Sequence, residues 1–148
     1  MAGISRTSRK GAGPSREAHA GHQYCIYLIK RRPQPLLDRF RSFPIGDIGI
    51  STITLAELQY GVSKSSQPKR NQEALELFVS PLAVAAFDQQ ATVAYGKVRA
   101  ALEKQGRPIG VMDLLIAAHA LSLGVRLVTN NEKEFRHVPG LRVENWVA

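Results

Sequence analysis

The stretch that decides the fold is Gly110-Val-Met-Asp113-Leu-Leu-Ile-Ala-Ala-His-Ala-Leu-Ser-Leu-Gly124, followed directly by Val125-Arg-Leu-Val-Thr129. Apolar residues surround the first segment on nearly every side, which is typical of a helix buried between other elements. Gly124 predicts the end of that helix, and the run after it is the clearest strand in the chain. A fully buried helix that leads at once into a strand indicates an α/β fold with a parallel sheet covered on both faces.

Strand and helix patterns alternate on both sides of this stretch. Residues 1–23 are rich in Gly, Ser, Ala and Arg and are predicted to be disordered, so the ordered domain is expected to span residues 25–148. A polar linker is predicted at residues 63–70. Strands are predicted at residues 24–29, 48–53, 82–87, 125–129 and 141–146, and helices at 35–43, 54–60, 71–79, 89–105 and 113–123.

Length and composition exclude several classes of protein. The 148 residues suffice for one domain with a real core. No apolar run is long enough to cross a membrane, and the basic N-terminus lacks the apolar centre of a secretory signal. The single cysteine, Cys25, excludes an internal disulfide and a cysteine-based zinc cluster and fits a reducing cytoplasm. The net charge of +8 suggests a polyanionic partner, either nucleic acid or an acidic protein.

Asp113 is out of place in its apolar surroundings. An ionised carboxylate there is costly unless it is paired, hydrogen-bonded or bound to a metal. One interpretation is a helix N-cap, since aspartate is a favoured cap and Gly110 supplies a turn just before it. The other is a carboxylate placed at a cleft for chemistry. Glu57 has the same two interpretations, because it stands three residues after Thr54 in the spacing of a capping box.

Three acidic positions are expected to meet at one edge of the sheet. In open α/β sheets, ligands bind beyond the carboxyl ends of the strands. Glu57, Asp113 and the turn at residues 129–134 all follow strand ends or begin the next helix. Clustered carboxylates without cysteine or paired histidines suit Mg²⁺ or Mn²⁺, which activates water and neutralises charge on a phosphodiester. Together with the basic charge, this pattern suggests a metal-dependent nuclease.

Three motifs resemble one family, the PIN-domain ribonuclease toxins known as VapC, in their order and spacing over residues 25–146. The resemblance implies a three-layer α/β/α domain with a central parallel sheet, Mg²⁺-dependent hydrolysis of RNA (often tRNA or rRNA), a homodimer, and inhibition by a small VapB-type antitoxin. The motifs are Ile50-Ser51 with Glu57-Leu-Gln-Tyr60-Gly61, Gly106-Arg-Pro-Ile-Gly110-Val-Met-Asp113, and Val128-Thr129-Asn130-Asn131-Glu132-Lys133-Glu134-Phe135.

The same resemblance assigns roles residue by residue. Glu57 and Asp113 fall on two of the family's acids and are the implied metal ligands and catalytic carboxylates. Asn131 stands at a variable fourth acidic position, and Glu134 nearby is the implied anionic contributor, with a solvated surface acid as the alternative. Ser51 and Thr129, with Asn131, resemble polar residues that orient substrate or water.

Two further features have both a structural and a functional interpretation. His119 follows Asp113 by six residues on an apolar helix and is predicted to be structural rather than catalytic. The basic run at residues 30–32 either contacts RNA or antitoxin or forms a solvated turn.

The chain departs from the family at its first motif. The family opens with a strand that reads Leu-Asp-Thr-Asn and whose Asp is a metal ligand, whereas the residues before Cys25 read Gly21-His-Gln-Tyr24. No acid occurs between Glu17 and Asp38. Residues 18–24 can be encoded by codons that, shifted by one nucleotide, read Met-Leu-Asp-Thr-Asn. We therefore hypothesise that residues 1–24 are an out-of-frame segment, which the gene's nucleotide sequence tests directly.

For the chain as written, three functions remain open. It is an active or weakened nuclease, a catalytically impaired pseudoenzyme that keeps antitoxin or RNA binding, or a general basic nucleic-acid binder. Metal-dependent RNA cleavage that Asp113→Asn abolishes distinguishes the first from the other two, and steeply salt-dependent binding unaffected by that change identifies the third.

Overall fold

The computed structural model describes residues 48–129 and 131–145, together with the backbone of residues 2–5 and 22–23. The strands are β1 (Ala2–Ser5), β2 (His22–Gln23), β3 (Ile48–Ser51), β4 (Ala83–Ala85), β5 (Arg126–Thr129) and β6 (Val143–Glu144). The helices are α1 (Thr52–Lys64), α2 (Pro68–Val79), α3 (Gln89–Lys104), α4 (Val111–Leu123) and α5 (Glu132–Phe135). The predicted strand at residues 24–29, the predicted helix at 35–43 and the basic run at 30–32 lie outside the described residues.

The six described strands form one sheet in the order β4-β3-β1-β2-β5-β6. Strand β2 pairs in parallel with both β3 and β5, β4 is parallel to β3, and β6 is parallel to β5. Strand β1 is antiparallel to its neighbours. The predicted parallel sheet is therefore confirmed for every described strand except β1.

The prediction of disorder for residues 1–23 is wrong for the two segments that form β1 and β2. Both lie between β3 and β5, and β1 pairs with β5 along four residues. The facing edges of β3 and β5 carry backbone donors and acceptors that need partners when they are buried. An extended backbone meets that need whatever its side chains, so hydrogen bonding here outweighs a composition that favours disorder.

Strand register places helices on both faces of the sheet. Gly49 and Leu127 both lie opposite Gln23, so their side-chain positions share one face. Leu127 belongs to a core cluster built with α3 and α4, including Val98 and Leu114. Ile50 follows Gly49, points to the other face, and packs in a second cluster with residues of α1 and α2. The three-layer α/β/α arrangement is confirmed.

Helix α1 begins and ends elsewhere than its sequence predicts. The Ser51 hydroxyl accepts a hydrogen bond from the Ile53 N–H at 3.0 Å and caps the helix, so Thr54 is not the cap. The helix continues past Gly61 to Lys64, although glycine costs about 1 kcal/mol inside a helix. Val62 packs against the second core cluster, and that burial favours the extra turn.

The other described elements follow their sequence signals more closely. Pro68 opens α2, which shortens the predicted linker at residues 63–70 to three residues between the helices. The Asp88 carboxylate caps α3 by accepting from the Ala91 N–H at 3.0 Å. Gly124 ends α4 with a φ of 67°, a left-handed conformation that favours glycine. Among the described helices, none has both the length and the apolar character needed to span a membrane.

Candidate active site

The carboxyl edge of the sheet brings three helix starts together. Strand β3 leads directly into α1, and β5 leads into α5. Helix α4 ends immediately before β5 begins, so its first turn lies back at the carboxyl end of β5. The acids on α1, α4 and α5 therefore approach the same edge, as expected from the sequence.

Asp113 lies in the first turn of α4 and does not cap it. The N-cap is Gly110, which offers no side chain, and Asp113 is the third residue of the helix. The N-cap interpretation is wrong because the helix begins three residues earlier than it would if Asp113 were its cap. Asp113 is half-buried, and burial, followed by the Glu134 carboxylate, raises its pKa. Its position in the first turn brings it close to the positive end of the α4 dipole.

Glu57 is the sixth residue of α1, beyond the reach of a capping box. That alternative is wrong because the helix starts at Thr52 rather than at residue 55. Glu57 is half-buried, and its pKa is raised first by burial and then by the charge of Asp113. The effect of the Asp113 charge on the Glu57 pKa indicates that the fold brings these two carboxylates near each other.

Glu134 joins the site from α5 and also has a structural contact. Its Oε1 accepts a hydrogen bond from the Gly110 N–H at 3.2 Å. The side chain is partly exposed rather than freely solvated, and it raises the pKa of Asp113. Glu134 thus connects the turn after β5 to the start of α4, a role that sequence spacing alone did not indicate.

The polar residues proposed to orient substrate or water differ in exposure. Thr129 is 2% exposed, and its Oγ1 accepts from the Asn131 N–H at 3.0 Å. Asn131 is exposed and precedes α5 without a side-chain cap bond. Ser51 is completely buried and bonds to His119 as well as to Ile53. Of the three, Asn131 has the side chain that is accessible to a ligand.

His119 is buried in the interior of α4. Its Nδ1 lies 2.7 Å from the Ser51 Oγ, and its side chain is fully inaccessible. Burial lowers its pKa, and the nearby Asp88 carboxylate and Ala86 backbone oppose that shift in part. A neutral, inaccessible imidazole does not contact substrate, in agreement with the predicted structural role. The sequence predicted the burial but gave no indication of Ser51 as the partner.

The acidic residues are of the type that binds a hard divalent cation, but fewer of them are grouped together in the described part of the chain than such a site commonly has. Carboxylate oxygens are the ligands that Mg²⁺ and Mn²⁺ prefer. Glu57 and Asp113 are both half-buried, and the Asp113 charge raises the pKa of Glu57, so a nearby cation would stabilise their charged forms. The residue types therefore fit such an ion. Within residues 48–129 and 131–145, however, no group of three acids, histidines or cysteines is arranged to hold a metal.

Comparison with known proteins identifies close relatives. The family model described as "PIN domain" matches residues 23–141. The tRNA(fMet)-specific endonuclease VapC of Shigella flexneri is 46% identical over 122 residues, which cover 82% of this chain and 92% of the relative. Ribonuclease VapC2 of Rickettsia felis is 45% identical over 123 residues, with the same coverage of each chain. The crystal structure of DNA-bound VapBC from Salmonella typhimurium superposes with a TM-score of 0.81 at 42% identity, covering 85% of this chain and 98% of that one.

Proposed function

Because the chain belongs to the PIN-domain family, and within it to the VapC ribonucleases, we propose that it is a Mg²⁺-dependent endoribonuclease toxin inhibited by a VapB-type antitoxin. The single observation that carries the metal dependence is the placement of Glu57 and Asp113 at one sheet edge, close enough for Asp113 to raise the pKa of Glu57. Two carboxylates forced together in this way have no benefit to the apo fold, and a bound cation relieves their repulsion.

Each residue of the site has a distinct task in the proposed reaction. Glu57 and Asp113 hold the Mg²⁺ ion (Mn²⁺ is an alternative) through their carboxylate oxygens. When bound, such an ion supplies water activation and neutralises the charge of the scissile phosphate. Glu134 adds negative charge and fixes the start of α4 through the Gly110 N–H. Thr129 shapes the turn that presents Asn131, whose accessible amide orients substrate or water.

The substrate is proposed to be a structured RNA, with initiator tRNA as the first candidate. The net charge of +8 favours a polyanion. Lys64 lies 5.1 Å from the centroid of the Tyr60 ring, and Tyr60 is 66% exposed on the helix that carries Glu57. An exposed aromatic ring beside a cation suits unpaired bases and phosphates. The Shigella flexneri relative is named as specific for tRNA(fMet).

The protein partner is proposed to be a small antitoxin that covers the apolar surface beside the acids. Val111 is 57% and Met112 is 39% exposed, immediately before Asp113 on α4. Exposed apolar residues next to a site suit a protein partner, and the Salmonella typhimurium structure is of a VapBC complex. A homodimer and a cytoplasmic location complete the proposal, and light scattering of the purified chain tests the former.

Cleavage of end-labelled initiator tRNA by the purified chain tests the function. The expected result is cleavage that requires Mg²⁺, stops with EDTA, and is lost in Asp113→Asn and in Glu57→Gln. Glu103→Gln is the matched control, because Glu103 is an exposed acid on α3 that pairs with Arg99. Cleavage that persists in EDTA or in Asp113→Asn would refute the metal-dependent mechanism.

A second candidate, a catalytically impaired pseudoenzyme, is supported by the lack of a three-residue metal cluster among the described residues. It retains the antitoxin surface but binds Mg²⁺ too weakly for turnover. Antitoxin binding by a chain that leaves RNA intact at saturating Mg²⁺ supports this candidate. Replacing residues 19–24 with Met-Leu-Asp-Thr-Asn-Ile is then expected to produce cleavage, whereas an inactive replacement would contradict it.

A further inference from the structure

We infer that His119 is a positioning residue for the acidic site, which it serves by holding the start of α1 against α4 through Ser51. The inference rests on the proposed function, because it takes Glu57 and Asp113 as the two carboxylates whose separation matters. His119 itself contacts neither substrate nor metal.

The hydrogen bond that carries this role is short and completely buried. His119 Nδ1 lies 2.7 Å from Ser51 Oγ, and both residues are 0% exposed. The same Ser51 oxygen accepts from the Ile53 N–H, the first capping bond of α1. A serine hydroxyl has one proton to donate, and it is donated to Nδ1 when the imidazole proton is on Nε2. One hydroxyl therefore connects the helix cap to the imidazole.

Burying the His119 imidazole lowers the stability of the fold, whereas an apolar side chain at this position would not. Nε2 is buried and has no partner of hydrogen-bond geometry in the described part of the chain. The Ala86 backbone is close enough to raise the His119 pKa, but it does not meet the hydrogen-bond geometry with Nε2. A buried N–H without a proper partner is destabilising. The bond to Ser51 explains why a histidine occupies this position.

The hydrogen bond between His119 and Ser51 can influence the positions of both acids. Glu57 follows Ser51 by six residues on α1, and His119 follows Asp113 by six residues on α4. Six residues span about 9 Å along a helix, so each acid lies less than two helical turns from one partner of the bond. Direct packing between α1 and α4 is slight, whereas α4 packs extensively on α3. The hydrogen bond is thus a direct polar connection between α4 and the start of α1, the two helices that carry the acids.

A third element keeps the imidazole in place. The Phe87 ring contacts His119 edge-on, with centroids 5.4 Å apart and planes at 73°. The Phe87 N–H donates to Thr52 Oγ1 at 3.1 Å. The loop after β4 therefore contacts both sides of the link, the first residue of α1 and the imidazole on α4. This arrangement restricts rotation of the ring and of the helix start together.

The first test measures the affinity of the full chain for Mn²⁺, with electron paramagnetic resonance of the free ion as the signal. His119→Leu is expected to weaken binding about tenfold, the lower end of the effect of outer-shell residues on metal affinity. His119→Asn is expected to restore it, since its amide lies where Nδ1 does and can bond to Ser51. Leu102→Ala is the control for lost core packing, because Leu102 is 1% exposed on α3. It should lower the unfolding temperature and leave Mn²⁺ affinity unchanged.

A distance measurement provides a second test that needs no metal. Spin labels at Gln59→Cys on α1 and Val111→Cys on α4, in a Cys25→Ser background, report the spacing of the two helices; both labelled positions are exposed. His119→Leu is expected to broaden the distance distribution, and His119→Asn to keep it narrow. A distribution that stays narrow in His119→Leu would overturn the inference, as would unchanged Mn²⁺ affinity in a parent chain that binds the ion. A parent that binds no Mn²⁺ refutes the proposed metal dependence, and the distance distribution alone then decides the positioning role.

Discussion

Adding one methyl group at Gly49 is expected to destabilise the fold strongly, because β3 and β4 approach each other at this residue. An alanine Cβ there would lie 2.2 Å from the Ala83 carbonyl oxygen and 3.0 Å from the Ala83 carbonyl carbon and Cβ. An ordinary contact begins at 3.4 Å, so the oxygen is 1.2 Å too close. The obstructing atom belongs to the backbone of the paired strand, and no side-chain rotation relieves the clash.

The magnitude follows from what must move. Overpacking a core costs about 1–3 kcal/mol when side chains can adjust. Here the two strands must separate and weaken their ladder, so we expect a loss at the upper end, about 3 kcal/mol. Such a loss is large against a typical stability of about 5–15 kcal/mol. It also disturbs the site, because β3 ends at the Ser51 cap of α1.

Urea unfolding followed by circular dichroism measures the effect, with two glycines as matched controls. Gly61 in α1 and Gly96 in α3 have no atom within 4 Å of an added Cβ. Alanine at either position is expected to stabilise the chain by about 0.5–1 kcal/mol, because glycine is unfavourable inside a helix. Replacing glycine with alanine should therefore lower the free energy of unfolding at position 49 and raise it at positions 61 and 96. Gly49→Ala with the stability of the parent chain, or helical substitutions that destabilise equally, would refute the reasoning.

Three further predictions concern the charged and polar groups. Asp113→Asn is expected to raise the free energy of unfolding of the metal-free chain by up to about 1 kcal/mol, a small value because solvent screens this half-exposed group; urea unfolding in EDTA measures it, and a destabilised variant contradicts it. Burial holds the folded-state pKa of His119 below its ordinary 6.5, so the unfolded chain takes up a proton first as the pH falls. The stability it contributes is present above pH 6.5 and is lost below it; unfolding temperatures across that pH should show a weaker dependence in His119→Asn, and identical profiles would argue against it. Glu134→Gln keeps an acceptor for the Gly110 N–H, whereas Glu134→Ala loses it at a cost of about 1 kcal/mol. If Glu134 also contributes charge to the site, Gln should match the parent in urea yet bind Mn²⁺ more weakly, and parental Mn²⁺ affinity in Glu134→Gln would exclude that contribution.

The layer architecture and the meeting of the acids were predictable because both follow from local patterns. Buried strands such as β5 and helices such as α4 have periodicities that survive in any α/β context. The rule that ligand sites lie beyond strand ends then placed Glu57, Asp113 and Glu134 at one edge. The Asp113 charge raises the pKa of Glu57, and the Glu134 charge raises the pKa of Asp113, which agrees with this placement.

The predictions that were wrong concern features that depend on contacts between residues distant in sequence. Thr54 and Ser51 are both acceptable caps by composition, and the structure uses Ser51, which β3 delivers to His119 sixty-eight residues later. Gly61 predicts a helix end by propensity, yet Val62 gains burial by continuing the helix. Residues 1–23 lack apolar periodicity, yet part of their backbone pairs within the sheet. In each case tertiary contacts outweigh a local preference of about 1 kcal/mol.

The two principal acids are unequally supported by the fold, and this inequality assigns them different parts in ion binding. Asp113 lies in the first turn of α4, where the helix dipole favours a negative charge, and its helix start is held by Glu134. Glu57 lies in the middle of α1 without that benefit, and its pKa is raised first by burial and then by the charge of Asp113. The helix dipole therefore favours the negative charge of Asp113, whereas Glu57 depends more on a cation to offset its neighbour. If the hydrogen bond between His119 and Ser51 positions α1 against α4 as we infer, it acts on Glu57, the acid that the fold itself supports less.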